Sequence, residues 1–178
     1  MNTTWRVLLA LAFAVSISAC KTTEPATDTT TPTDTTDTKP ATEVTTAAAP
    51  DPRDYTDARN FDNSESLLSK RVIYFDFDKS EVKAEYRPIV AAHASYIASH
   101  SSARVTLEGH TDERGTREYN LGLGERRGNS VSGLLSAAGA MGNQLDTVSY
   151  GEERPVCRVS DESCWSQNRR VEIVYTAR

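Results

Sequence analysis

The sequence has no surplus of positive charge, no long apolar run and only three cysteines among its 178 residues. The net charge is −5, of which residues 21–69 contribute −6 with 4 basic and 10 acidic side chains, Arg6 contributes +1, and residues 70–178 contribute zero with 15 of each. A folded part without a basic surplus argues against nucleic-acid binding, because contacts to phosphate need clustered lysine and arginine. The longest apolar run, at residues 7–15, is too short for a membrane-spanning helix, which needs about 20 apolar residues.

Residues 1–19 have the pattern of an export signal. Arg6 precedes the apolar run, and small residues lead to Cys20. Residues 17–20 resemble a bacterial lipobox, the tetrapeptide after which the signal is cleaved and the cysteine is lipidated. We therefore expect Cys20 to carry a lipid anchor, in which each buried CH₂ contributes about 0.8 kcal/mol. An ordinary secretory signal is the alternative. By resemblance to bacterial lipoproteins, Lys21 favours delivery to the outer membrane.

Residues 20–60 are rich in threonine, proline, alanine and aspartate and contain few large apolar side chains. Such a segment cannot bury enough apolar surface to offset the entropy of ordering, so we predict a disordered tether. As a flexible coil it would reach roughly 35 Å. Residues 61–178 are the predicted folded domain.

The apolar patterns of the domain predict four strands and two helices. The strands are expected at 71–75, 103–108, 147–150 and 170–175, and the helices at 81–99 and 116–138. The resulting order, β-α-β-α-β-β, predicts a two-layer α/β (α+β) sandwich with a mixed sheet and both helices on one face.

The second helix carries an arginine where an apolar residue is expected. Its apolar face follows one stripe of three- and four-residue spacings, comprising Tyr119, Leu123, Arg127, Val131, Leu134 and Leu135. A guanidinium on such a face is costly unless a carboxylate or a ligand meets it, and the nearest candidate is Asp112 in the loop before the helix. The pair could pin the loop to the helix, or it could hold a zwitterion, with Asp112 taking an ammonium and Arg127 a carboxylate.

Three polar residues in one loop, His110, Asp112 and Glu113, raise the alternative of acid–base catalysis or metal binding. No constellation of nucleophile, base and orienting group is visible, so we expect hydrogen-bonded turn residues, no enzyme activity and no metal or cofactor. His93 falls on the apolar face of the first helix, where we expect a hydrogen-bonded, half-buried structural histidine.

Cys157 and Cys164 lie in the connection before the last strand. In an oxidising compartment such a pair is expected to form a disulfide, worth roughly 2–3 kcal/mol for so short a loop. A zinc site is the alternative, but it needs four ligands and the neighbouring side chains supply too few.

Five segments together resemble the peptidoglycan-associated lipoproteins of Gram-negative bacteria and the wider OmpA-like C-terminal domain superfamily. The matching segments are 74–79, 108–116, 123–127, 149–155 and 166–172. The resemblance implies the fold predicted above and non-covalent binding to the meso-diaminopimelate of peptidoglycan stem peptides. It also implies a link between outer membrane and cell wall, with the domain facing the periplasm, and partnership with TolB and the Tol complex in cell division. A wall-binding lipoprotein that acts independently of the Tol system is the alternative.

The resemblance also implies roles for individual residues. Asp112 would take the ammonium of diaminopimelate and Arg127 its carboxylate. Phe77 and Asp78 match a loop that lines the site, and Leu123 matches a flanking contact. Supporting roles are implied for Asn168, Arg169 and Arg170.

Overall fold

The computed structural model describes residues 48–178, so the export signal, Cys20 and most of the tether lie outside the described residues. The described part contains four strands and three α-helices. In chain order they are β1 (Val72–Tyr74), α1 (Arg87–Ser99), β2 (Arg104–His110), α2 (Arg117–Ala137), β3 (Leu145–Gly151), α3 (Glu162–Asn168) and β4 (Arg170–Ala177). None of these helices is both long enough and apolar enough to cross a membrane.

The four strands form one mixed sheet in the order β1-β4-β2-β3. β4 runs antiparallel to both of its neighbours, whereas β2 and β3 are parallel. At the centre of the sheet, Leu107 of β2 lies opposite Thr147 of β3 and Ile173 of β4. The predicted mixed sheet is confirmed.

Both long helices pack on the same side of this sheet. Ile89 and Ile97 of α1 join Val131 of α2 in one buried cluster with Leu107 and Ile173, which point inward from β2 and β4. Burial of a large aliphatic side chain contributes about 1.5–3 kcal/mol, so this shared cluster stabilises the two-layer arrangement. The predicted fold class is confirmed.

The start of α2 is fixed by a cap and by close packing on β2. The Thr116 hydroxyl accepts a hydrogen bond from the Tyr119 amide at 3.2 Å, as an N-cap residue does. Gly109 and Gly124 allow the helix to lie directly on the strand, because a Cβ on Gly109 would collide with the Gly124 carbonyl oxygen. The first turns of α2 therefore lie beside the carboxyl end of β2.

Helix α3 is absent from the predicted order of elements, in which the connection between the last two strands has no helix. It begins at the N-cap Asp161, whose carboxylate accepts from the Cys164 amide at 2.9 Å. Its seven residues are too few to give a helical repeat of apolar positions, which explains the omission. In the structure Cys157 and Cys164 form a disulfide that ties the preceding loop to this helix.

An aromatic cluster covers the amino end of β2. Phe61 contacts the rings of Tyr96 and Tyr175 edge-on at 4.7 Å, and Tyr55 packs against the cluster. The buried Asn60 amide donates to the carbonyl oxygens of residues 51 and 54 at 2.7 and 2.8 Å. Residues 51–60, which composition assigns to the tether, thus form turns packed on the domain. A buried Asn60 and a partly buried Tyr55 leave no apolar repeat from which these turns could be predicted.

Candidate functional site

A pocket of about 210 Å³ lies at the carboxyl end of β2, between the loop 111–116, the first turns of α2 and the turn at residues 77–78. The structure brings together here all five residues that the resemblance assigns to ligand binding, namely Phe77, Asp78, Asp112, Leu123 and Arg127. The remaining lining residues are Thr111, Arg114, Gly115, Tyr119 and Asn120.

Arg127 is fully buried beneath the pocket. Its guanidinium donates to three backbone carbonyls, from Nε to Lys79 at 2.8 Å, from Nη1 to His110 at 2.8 Å and from Nη2 to Asp76 at 3.1 Å. Burial lowers the pKa of Arg127 to about 10, so the group remains charged at neutral pH.

Of the two alternatives for Asp112 and Arg127, the direct ion pair is not formed. Among residues 48–178, no carboxylate oxygen lies within 4.0 Å of the Arg127 guanidinium. Three carbonyl groups, which leave no trace in the pattern of side chains, meet the guanidinium instead. Carbonyl dipoles satisfy N–H groups but do not neutralise the charge, so the pocket has a positive floor.

Asp112 is also buried, at 3% exposure, and it binds two other arginines. Arg114 reaches both of its carboxylate oxygens, at 3.2 Å from Nε and 2.6 Å from Nη2, and Arg169 donates from Nη1 at 3.2 Å. Burial alone would raise the pKa of Asp112, but the hydrogen bonds from Arg114 and Arg169 outweigh it and hold the pKa below its usual value.

The three residues 168–170 have different positions relative to this pocket. Arg169 is the direct partner of Asp112 and also donates to the Phe75 carbonyl at 3.1 Å. The Asn168 side chain accepts from the amides of residues 156 and 157 and so holds the loop that precedes α3. Arg170 pairs with Glu172 at 2.7 Å on β4 and does not line the pocket.

Arg114 is a pocket residue that sequence reasoning did not single out. Its guanidinium lies between two aromatic rings, 4.0 Å from the centroid of Phe77 and 4.2 Å from that of Trp165. It also lies 3.6 Å from a carboxylate oxygen of Glu162 on α3. Its position two residues after Asp112, in a loop rich in charged side chains, was the available signal.

The turn at residues 77–78 adds an aromatic ring and a second carboxylate. Phe77 is 54% exposed, and Asp78 has a left-handed backbone with φ of 55°. Such a conformation is uncommon for a residue other than glycine, and asparagine and aspartate adopt it more readily than most. The Tyr119 hydroxyl donates to the Asp78 carboxylate. The prediction that Tyr119 faces the core is wrong, since it is 46% exposed and its ring reaches across the pocket mouth.

Two buried polar side chains near the pocket have no hydrogen-bond partner within the described part of the chain. They are His110, at both ring nitrogens, and Thr111, at its hydroxyl. His110 is 2% exposed and stacks on Tyr150. Among residues 48–178 no group of three or more histidine, cysteine, aspartate or glutamate side chains is arranged to hold a metal ion.

Comparisons with known proteins agree with this fold. A model described as the OmpA family matches residues 74–170. The peptidoglycan-associated lipoprotein of Haemophilus influenzae is 48% identical over 103 residues, which are 58% of this chain and 67% of that protein. The protein of the same name from Pasteurella multocida is 47% identical over 103 residues, covering 58% and 69% of the two chains.

Two solved structures are similar to the described part. The crystal structure of the peptidoglycan-associated lipoprotein from Burkholderia pseudomallei superposes with a TM-score of 0.64 at 43% identity, covering 65% of this chain and 98% of the other. The C-terminal domain of Helicobacter pylori MotB gives a TM-score of 0.56 at 21% identity, covering 60% and 84%, and this likeness concerns the fold alone.

Proposed function

The chain belongs to the OmpA family and, within it, to the peptidoglycan-associated lipoproteins, and from this premise we propose that it binds peptidoglycan non-covalently through the pocket at the carboxyl end of β2. Membership in this family also means that the chain is not an enzyme, as the sequence predicts.

One observation carries the proposal, namely the charged guanidinium of Arg127 at the pocket floor, which has no carboxylate oxygen of residues 48–178 within 4.0 Å. A buried positive charge attracts an anionic group, and the arginine fork is suited to a carboxylate. Two carboxylates, those of Asp78 and Asp112, also line the pocket. A ligand with one carboxylate and one ammonium on the same carbon matches this arrangement.

The free stereocentre of meso-diaminopimelate in an uncrosslinked stem peptide is such a group. Its apolar methylene chain would lie along Leu123 and Phe77, which line the same pocket. We propose this residue of the stem peptide as the ligand, with Arg127 facing its carboxylate.

The remaining parts of the proposal concern residues outside 48–178 and partners. Residues 1–19 would be the cleaved signal, Cys20 the lipidated anchor in the outer membrane, and the tether would connect that membrane to a periplasmic wall-binding domain. The family name supports a lipoprotein. TolB and the Tol complex in cell division are the partners we propose, and co-purification with TolB tests them. Failure to co-purify with TolB would favour a wall-binding lipoprotein that acts independently of the Tol system.

Sedimentation with purified sacculi tests the wall-binding site. Asp112→Ala and Arg127→Ala should each weaken binding by about 2–5 kcal/mol, because each leaves a desolvated charged partner without its counterpart. Arg127→Met keeps much of the volume without the charge and should behave alike. Thermal unfolding must show that each variant is folded at the assay temperature.

Arg87→Ala and Asp146→Ala are matched controls, because both residues are exposed and lie outside the pocket. They should bind sacculi as the wild type does. Folded Asp112 and Arg127 variants that bind equally well would show that the site is elsewhere.

A further inference from the structure

We propose that residues 48–59 form a releasable strap, fastened by Asn60, which detaches under tension and lengthens the tether while the rest of the domain stays folded. The inference goes beyond the proposed function and rests on it for the source of the tension, because a chain anchored at Cys20 and bound to the wall is pulled from both sides. The detachment itself depends only on the contacts between the strap and the domain.

The strap has few contacts with the rest of the domain. None of its residues is buried, and Tyr55 packs, partly buried, against the aromatic cluster. Within residues 48–178, the hydrogen bonds that leave the strap go only to Asn60 and Asp62. No hydrogen bond among the described residues therefore joins the strap to the sheet or to either long helix.

Asn60 is the residue that fastens the strap. Its side chain is fully buried, and Nδ2 donates to the carbonyl oxygens of Asp51 and Asp54 at 2.7 and 2.8 Å. Its Oδ1 accepts from Asn63 Nδ2 at 3.1 Å, so both ends of the amide group are bonded. Because one amide group holds the strap at two points, the loss of these two bonds frees the strap as a unit.

The chain is firmly held immediately after Asn60. Phe61 is buried, its ring contacts Tyr96 and Tyr175 edge-on at 4.7 Å, and Leu68 is fully buried in the same cluster. Native proteins open locally at segments that have few buried apolar contacts and a solvent-exposed backbone, at a small fraction of the cost of global unfolding. The boundary between the part that opens and the part that stays folded is therefore expected between Asn60 and Phe61.

Tension in the proposed linkage acts on the strap before it reaches the core. The tether precedes residue 48 in the chain, and the strap packs at the amino end of β2, whereas the pocket lies at the carboxyl end. Force applied through the tether is thus transmitted through the strap and only then to Phe61. An extended chain spans about 3.3–3.6 Å per residue, so release of the strap adds up to about 40 Å.

Hydrogen exchange of the full mature chain, followed by NMR, tests whether the strap opens by itself. The Asp54 amide donates to the Asp51 carbonyl at 2.9 Å and the Asp57 amide to the Asp54 carbonyl at 3.3 Å. Both amides should exchange at least about 100-fold faster than the Leu107 amide at the centre of the sheet. Their rates should be independent of dilute urea, because little surface is exposed, whereas the rate of Leu107 should rise with urea.

Two asparagine variants test the fastening. Asn60→Ala should speed exchange of the strap amides about tenfold, because it removes both bonds to the strap carbonyls. Asn129→Ala is the matched control, an exposed asparagine on α2, and should leave strap exchange unchanged. Strap amides that exchange at the rate and with the urea dependence of Leu107 would overturn the proposal, as would unchanged strap exchange in Asn60→Ala.

Pulling with optical tweezers tests release under tension. Handles attached at Thr22→Cys in the tether and at Glu118→Cys, an exposed position at the start of α2, apply force between the tether and the pocket end. The wild type should show a reversible lengthening of up to about 40 Å before the cooperative unfolding of the domain. Asn60→Ala should show it at lower force. Unfolding in one step, without an earlier lengthening, would overturn the proposal.

Neither measurement involves peptidoglycan, so failure of the strap is distinguishable from failure of wall binding. A strap that releases in a protein that does not sediment with sacculi would overturn its role in a membrane-to-wall linkage. A protein that sediments with sacculi but unfolds in one step would keep the proposed function and lose the strap.

Discussion

A buried histidine lies near each end of strand β2, and the two histidines differ in their hydrogen bonds. At the amino end, His93 of α1 lies in the aromatic cluster, with Nδ1 2.9 Å from the Tyr175 hydroxyl and Nε2 2.9 Å from the Lys70 carbonyl. At the carboxyl end, both ring nitrogens of His110 lack a partner among the described residues. The expected structural role of His93 agrees with this geometry, although its side chain is fully rather than half buried.

Under the proposed function, this difference separates an end of the domain that contributes stability from an end that binds the ligand. A buried polar group without a partner costs about 1–3 kcal/mol, so a region optimised for stability does not leave several of them. His110 and Thr111 are two such groups, and the His110 carbonyl accepts a hydrogen bond from Arg127. The pocket end therefore leaves two buried polar side chains without hydrogen-bond partners among the described residues, whereas at the aromatic end both nitrogens of His93 are paired and Arg71 Nε is the one such atom.

The largest expected effect comes from truncating the aromatic end. Phe61 is 3% exposed and contacts two tyrosine rings and the Arg71 guanidinium, so Phe61→Ala should lower the free energy of unfolding by about 3–5 kcal/mol. Urea unfolding followed by circular dichroism measures this loss. Binding to sacculi should be unchanged where the variant is folded.

Phe77→Ala is the matched variant at the other end, because it removes the same side chain from an exposed position in the pocket. It should weaken binding and change stability by less than about 1 kcal/mol. If Phe61→Ala weakened binding while remaining folded, the two ends would not be separable.

Removal of the disulfide should destabilise the pocket end of the domain, by less than Phe61→Ala destabilises the aromatic end. A loop of this size is worth about 2–3 kcal/mol in the chain-entropy account, so the double variant Cys157→Ser and Cys164→Ser should unfold at lower urea. Since Trp165 lies on α3 and Arg169 directly follows it, and since these residues hold Arg114 and Asp112, the affinity for sacculi should also fall. Reduction of the wild type with dithiothreitol should reproduce both changes. A stability loss with no change in affinity would mean that the hydrogen bonds of Asn168 hold α3 without the disulfide.

The helices that could be predicted from the sequence are those long enough to show a repeated pattern of apolar residues. Helix α2 has 21 residues, an N-cap threonine and a repeated apolar face, and it was predicted almost to its ends. Helix α3 has seven residues and no such repeat, and it escaped prediction. The turns at residues 51–60 were not predicted either, because they are held by hydrogen bonds from the buried Asn60 side chain to backbone carbonyls and have no apolar repeat.

Half of the ten residues that line the pocket were predicted as ligand-binding residues, but the hydrogen-bond partners of Arg127 and Asp112 were not predicted. The sequence placed Arg127 on a buried face and Asp112 nearby, and both line the pocket. It could not reveal that backbone carbonyls meet Arg127, since those carbonyls come from two separate segments, residues 76–79 and the end of β2. Nor could it reveal that Arg169, 57 residues away, shares Asp112 with Arg114.

The sharpest test of the comparison is the response of the two histidines to acid. Burial lowers the pKa of both His93 and His110 to about 4, below the usual value of 6.5. Between those values the unfolded chain binds protons that the folded chain does not, so stability is full above pH 6.5 and falls as the pH decreases toward 4. Each histidine should contribute about 1.5 kcal/mol of this loss between pH 6.5 and pH 5. Urea unfolding at a series of pH values measures the slope, and His93→Gln or His110→Gln should each remove about half of it.

The pH dependence of binding to sacculi should distinguish the two histidines, whereas the pH dependence of stability should not. Protonated His110 would stand among Arg170, Arg154 and Glu172, and its own carbonyl accepts from the buried Arg127 guanidinium. Acid should therefore weaken the affinity of folded protein for sacculi, and His110→Gln should abolish that part of the pH dependence while His93→Gln preserves it. An identical effect of both variants on the binding profile would show that acid acts only through global stability, because His93 has no contact with the pocket through which a local effect could pass.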